Sequence, residues 1–146
     1  MKKLKLLLFA VSEDRNIGLL LFRVTLGLAL MTHGLPKLLE GPPRWEKVGG
    51  VMAALGVPGP AVVWGFLAAF AESVGALCLA TGAFTTIAAF LIAVTMSIAA
   101  FVAHANDPFA KKELAILFLF GAILFLSKGA GRWSMDYAMS RKARQP

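Results

Sequence analysis

The chain has 146 residues, 58% of them apolar and only 16% charged, with a mean hydropathy of +0.74. A soluble domain carries roughly 45–50% apolar and about 25% charged residues, so this composition excludes an ordinary water-soluble globule. The net charge of +7 and pI near 10.0 could suggest nucleic acid, but the cations crowd the chain ends, at Lys2, Lys3, Lys5 and again at Arg141, Lys142 and Arg144. Basic flanks around nearly uncharged blocks are what helix ends at a membrane require, so the lipid bilayer is the expected partner and nucleic acid is not. The single cysteine, Cys78, excludes an intrachain disulfide and a Cys-x-x-Cys redox pair.

In chain order, Leu4 to Val11 is a short apolar run behind lysines. Ala10 and Ser12 could serve a signal peptidase, but Lys5 interrupts a run already short for that purpose, so the segment reads as a membrane-surface lead-in. Four apolar blocks follow, at 17–37, 61–80, 85–103 and 113–127. Each approaches the length a spanning helix needs, about 20 residues. Only Thr81-Gly82-Ala83-Phe84 joins the second block to the third, so those two must form an antiparallel hairpin.

Between the first two blocks, Gly41-Pro42-Pro43 and Pro58-Gly59-Pro60 bracket a segment with Trp45, Val48, Met52 and Leu55 at helical spacing. A short interfacial helix over 44–56 is expected, with Trp45 at headgroup depth. Basic tails at 1–16 and 128–146 hold nine lysines and arginines against five on the other side, at Lys37, Arg44, Lys47, Lys111 and Lys112. With an even number of spans, both termini are expected in the cytoplasm. The expected fold is all-α, a single-domain integral membrane four-helix bundle running up-down-up-down.

The informative residues are ionisable groups inside the apolar blocks. Arg23 lies six residues into the first and Glu72 eight residues before the end of the second. Each costs about 2.5–3.5 kcal/mol at mid-helix, so an accidental placement of both is improbable. With the spans aligned by their ends, the two fall at similar depth and are expected to pair. Such a pair either fixes helix register or serves a polar ligand or protons. Small residues line the same faces: Gly27 and Gly34 beside Arg23, Gly65, Ala68 and Gly75 beside Glu72, and Ala89, Ala93, Ser97 and Ala100 on the third block. Small residues let helix backbones approach in lipid, so these faces are expected to point inward.

At the outer end the spans would gather His33, Lys37, His104 and Glu113, a candidate pocket for a quinone carbonyl or an anion. Two histidines without close spacing do not make a metal site, and none is expected. Ser73, beside Glu72, has no histidine at its depth, so nucleophilic catalysis has no support.

Taken in order, Arg23-x-x-x-Gly27, His33-Gly34-Leu35-Pro36-Lys37, Ala71-Glu72-x-x-Gly75, Leu79-x-x-Gly82 with Thr85 to Ala89, His104-x-Asn106 ahead of Glu113, and Gly129-Ala130-Gly131-Arg132-Trp133-Ser134-Met135-Asp136 resemble the DoxX family over Leu19 to Asp136. One departure is Asp107-Pro108, where members often carry glycine. The resemblance implies a four-helix protein of the bacterial cytoplasmic membrane. It is similar to the small-subunit type associated with thiosulfate:quinone oxidoreductase, whose mycobacterial namesake is linked to a complex with superoxide dismutase and a sulfurtransferase. Arg23, Gly27, Gly34, Lys37, Glu72 and Gly75 are its characteristic positions, none with an established catalytic role.

The leading expectation is an accessory membrane component of a redox or quinone-linked complex, with soluble or membrane redox proteins, or a further copy of the chain, as partners. One cysteine and two histidines are too few for haem or most iron–sulfur centres, so no cofactor is expected in the chain itself and quinone is the candidate ligand. The alternatives are a small-solute transporter and a structural anchor for soluble enzymes.

Overall fold

The computed structural model describes residues 15–143 of the chain. The lead-in segment at Leu4–Val11 and the basic residue Arg144 fall outside them. Among the described residues every regular element is helical. Helix α1 covers Arg15–Leu39, α2 Pro42–Gly49, α3 Ala61–Phe70, α4 Ala76–Thr81, α5 Thr85–Ile98, α6 Phe109–Lys128 and α7 Met135–Lys142. A 3-10 turn, Gly50–Leu55, extends α2. Two stretches of π-helix interrupt the α-geometry: Ala71–Gly75 joins α3 to α4, and Ala99–Ala103 continues α5.

Three of these helical units are long and apolar enough to cross a membrane: Ile17–Leu39, Ala61–Thr81 and Thr85–Ala103. They match the first three expected blocks to within two residues. Helix α6 is 20 residues long but carries Lys111, Lys112, Glu113 and Lys128 near its ends. It begins four residues before the expected boundary because Pro108, outside the helix, leaves Phe109 free to start the first turn.

The core is built from small residues and a few large ones. Ala76, Ala89 and Ala122 are fully buried beside Leu30, Leu79, Ile92 and Phe125. Close approach is evident between α1 and the second span. A Cβ on Gly27 would stand 2.6 Å from the Ala76 carbonyl oxygen, and one on Gly34 would stand 2.2 Å from the Glu72 carbonyl carbon. Gly75 is buried too, but a Cβ there would meet nothing nearer than 3.9 Å. Helix α6 closes against α1 through Phe22 stacked on Phe125, with ring centroids 5.9 Å apart, and through Leu26 packed on Gly121.

These contacts fix how far the first span is displaced along the second. Gly27 faces Ala76 and Ala80, and Gly34 faces Glu72. Aligning the two spans by their ends would instead set Ile17 against Ala80, so α1 is shifted by about eight residues, or about 12 Å. Helix α2 fills the space this leaves. It crosses the start of α3 so tightly that a Cβ on Gly65 would meet the Trp45 carbonyl and one on Gly49 the Ala61 carbonyl. The Trp45 indole donates to the Lys37 carbonyl at 2.9 Å, capping the end of α1, and packs edge-on against Phe66.

Candidate functional site

The shift along the helix axis overturns the expected Arg23–Glu72 pair. Both side chains are buried, but the shift places Arg23 beside Ala80, about ten residues or 15 Å along α1 from the level of Glu72. End-to-end alignment of the spans concealed this separation.

Arg23 grips backbone instead. Its Nε donates to the Ala80 carbonyl at 3.3 Å, one terminal nitrogen donates to Ala130 and the other donates to Trp133 at 2.7 Å. Five donors in a fixed fork suit convergent carbonyls of this kind. The Gly129–Ser134 segment is thereby drawn under the hairpin turn. Asp136 completes the closure by accepting from the backbone N–H groups of Phe84 and Thr85 at 2.8 and 2.9 Å, while its own N–H donates to Gly82. A carboxylate at the first turn of α5 satisfies orphan donors and complements the helix dipole. It also holds Phe84 in the left-handed region, at φ 49°.

Glu72 pairs with Lys37. The Nζ donates to Oε2 at 2.5 Å, with the carboxylate almost wholly buried and the lysine side chain a quarter exposed. Lys37 lies one turn beyond Gly34, whose missing side chain allows the Glu72 backbone to approach α1. The π-turn Ala71–Gly75 contains Glu72, and Ser73 Oγ donates back to the Ala69 carbonyl at 2.6 Å, tying off backbone that the irregular geometry loosens.

The pair ends a cavity of about 700 Å³ between the second and third spans. Leu67, Ala68 and Ala71 form one wall; Leu91, Val94 and Ile98 form the facing one. Arg44, Lys47 and Met52 of the α2 segment roof it. The second π-stretch contributes Ala99 and Ala103, so both irregular segments border the same space. Single π-turns concentrate at functional sites because they re-aim side chains within an otherwise regular helix. Phe90 and Leu67 line the cavity yet are about half exposed, so the space opens sideways onto the surface that acyl chains would contact.

Of the four residues expected at the outer end, Lys37 and His104 line this cavity. His33 is exposed and meets Phe118 edge-on, while Glu113 is exposed at the start of α6; neither is part of the lining. His104 Nδ1 lies 2.7 Å from Asp107 Oδ2, and Lys111 flanks the same carboxylate at 3.4 Å. The hydrogen bond to His104, helped by the Lys111 charge, holds the Asp107 carboxyl below its ordinary value against the opposing effect of desolvation. Among the described residues no three His, Cys, Asp or Glu side chains come together as a metal site would need. Sequence reasoning passed over Trp64, Arg44 and Lys47 as cavity residues; the available signal was that α2 must fold back over the start of α3, because two glycines, Gly49 and Gly65, stand at matching positions.

A helical protein with three helices long and apolar enough to cross a membrane, and a polar pair buried between two of them, defines the class. The DoxX family model matches residues 18–105, more than half of the chain, and the chain belongs to the DoxX family. No curated protein and no solved structure matches it. The matched range holds the cavity, Arg23, Lys37 and Glu72, while α6 and the Gly129–Asp136 segment lie beyond it.

Proposed function

We propose that the chain is an accessory subunit of a quinone-linked redox complex in the bacterial cytoplasmic membrane, admitting the quinone headgroup sideways from the bilayer into the cavity. The observation that carries this is the Lys37–Glu72 pair in the lining of a space walled mainly by apolar side chains. A volume of about 700 Å³ suits a substituted ring, since small-molecule sites run about 300–1,000 Å³ and combine apolar walls with a few placed polar groups. Glu72 occupies one hydrogen of the Lys37 ammonium and orients it, leaving two for a carbonyl oxygen. Electrons would come from a partner protein, because this chain has too few ligands for most metal centres.

In this arrangement α6 is the fourth span of an up-down-up-down bundle. The 20 residues Phe109–Lys128, about 30 Å long, cross the hydrocarbon while Lys111, Lys112 and Lys128 extend toward the headgroups. Helix α2 lies at one interface, and the charge balance puts both termini in the cytoplasm. Permeation of a solute along the bundle is the alternative; the hydrogen bonds of Arg23 across the hairpin end to Ala130 and Trp133 weigh against it.

A benzoquinone bearing a photoreactive tail should label cavity peptides from α3 and α5 when the purified chain is held in nanodiscs. Unlabelled quinone should compete, and Lys37→Met should cut labelling about tenfold through loss of a charged donor. Labelling confined to α6, or indifferent to competitor, would refute the quinone site.

A further inference from the structure

The rim of the cavity has more hydrogen-bond donors than the protein uses. Arg44 Nε and Trp64 Nε1 are both buried without a hydrogen-bond partner. Arg44 Nε forms an ion pair with Glu40 Oε2 one helical turn away, at 3.6 Å, longer than a hydrogen bond. Lys47, on the same roof, forms no ion pair among the described residues. Among the described residues Glu72 is the only carboxylate lining the cavity, and Lys37 already holds it. Buried donors are normally satisfied, so the two unmet ones, with the exposed Lys47 ammonium on the same lining, favour a ligand made of acceptors. Two of these three donors sit on cationic side chains, so that ligand carries negative charge.

We propose that Arg44, Lys47 and the Trp64 indole bind an oxyanion headgroup of the phosphate type at the mouth of the cavity. This site is separate from the quinone reading and does not depend on it: Trp64 precedes Glu72 by eight residues, about 12 Å along the second span. Guanidinium and ammonium match phosphate oxygens, and the indole N–H supplies a neutral donor that cannot repel them. The half-exposed Phe90 and Leu67 continue the opening as an apolar groove, which suits an oxyanion carried on an acyl chain; a free anion would use the rim alone.

The test is native mass spectrometry of the full chain released from mild detergent, with phosphatidylglycerol, phosphatidylcholine and inorganic phosphate offered in turn. Phosphatidylglycerol should be retained about tenfold better than phosphatidylcholine, and Arg44→Gln/Lys47→Gln should abolish the preference. The tail variant Arg141→Gln/Lys142→Gln should preserve it, which separates the rim from general basic attraction. Trp64→Phe keeps the ring and loses the N–H; it should bind about threefold more weakly and serves if the double variant does not fold. Displacement of the lipid by inorganic phosphate would support a free oxyanion as the source, and resistance to it a lipid headgroup. Equal retention of the two lipids, or unchanged retention in both Arg44→Gln/Lys47→Gln and Trp64→Phe, would overturn the proposal.

Discussion

Single residues set the polar interior, and their couplings can be measured. Arg23 and Glu72 act about 15 Å apart, so the stability losses of Arg23→Leu and Glu72→Leu in detergent should add within about 0.5 kcal/mol. Lys37→Leu and Glu72→Leu should be strongly non-additive, because either change alone strands a buried or half-buried charge that the double change removes. Gly34→Ala pushes a methyl into the Glu72 backbone and should cost about 1–3 kcal/mol or more, whereas Gly75→Ala has room and should change stability by less than about 1 kcal/mol. At the cavity edge, Asp107 is held low by His104, so its contribution to stability is complete above the ordinary carboxyl value and is lost as pH falls through the lowered one. Carbon-detected NMR should find the Asp107 midpoint below the ordinary carboxyl range, rising toward it in His104→Ala.

At the scale of elements, the hairpin between the second and third spans depends on a residue more than fifty positions downstream. Asp136 caps α5, and Asp136→Ala should cost about 1 kcal/mol while accelerating amide exchange at Phe84 and Thr85 specifically. The sequence identified the elements because apolar run length and proline punctuation are local signals. The first three spans emerged within two residues, and prolines bracketed α2. The placement of α1 along its neighbour was not legible. Hydropathy fixes where a helix enters lipid, not which residues of an adjacent helix it meets, and the small-residue stripe Gly27–Gly34 tolerates more than one register until actual contacts choose. The π-turns were equally hidden, since Ala71–Gly75 and Ala99–Ala103 carry no composition that separates them from ordinary helix.

Across the whole molecule, charge and apolarity are distributed for a bilayer. The chain should pellet with membranes after a high-pH wash and be released only by detergent; recovery in the supernatant would contradict a membrane-spanning role for the three long apolar helices. The candidate site was legible in part. Lys37, Glu72 and His104 stood out as charges or imidazoles where apolar residues were expected, whereas the rim donors Arg44 and Trp64 looked like ordinary loop and belt residues until the fold placed them beside one opening. The grip of Arg23 on Ala130 and Trp133 has a consequence for biosynthesis. When the first span leaves the ribosome, two of the carbonyls its guanidinium needs are still more than a hundred codons away, and at about 5–20 residues per second that delay is on the order of 5–20 s. The insertion machinery must shelter a cation in the nascent membrane segment for that interval, and a transcript broken before those codons would yield a product whose Arg23 keeps only the Ala80 carbonyl of its three acceptors.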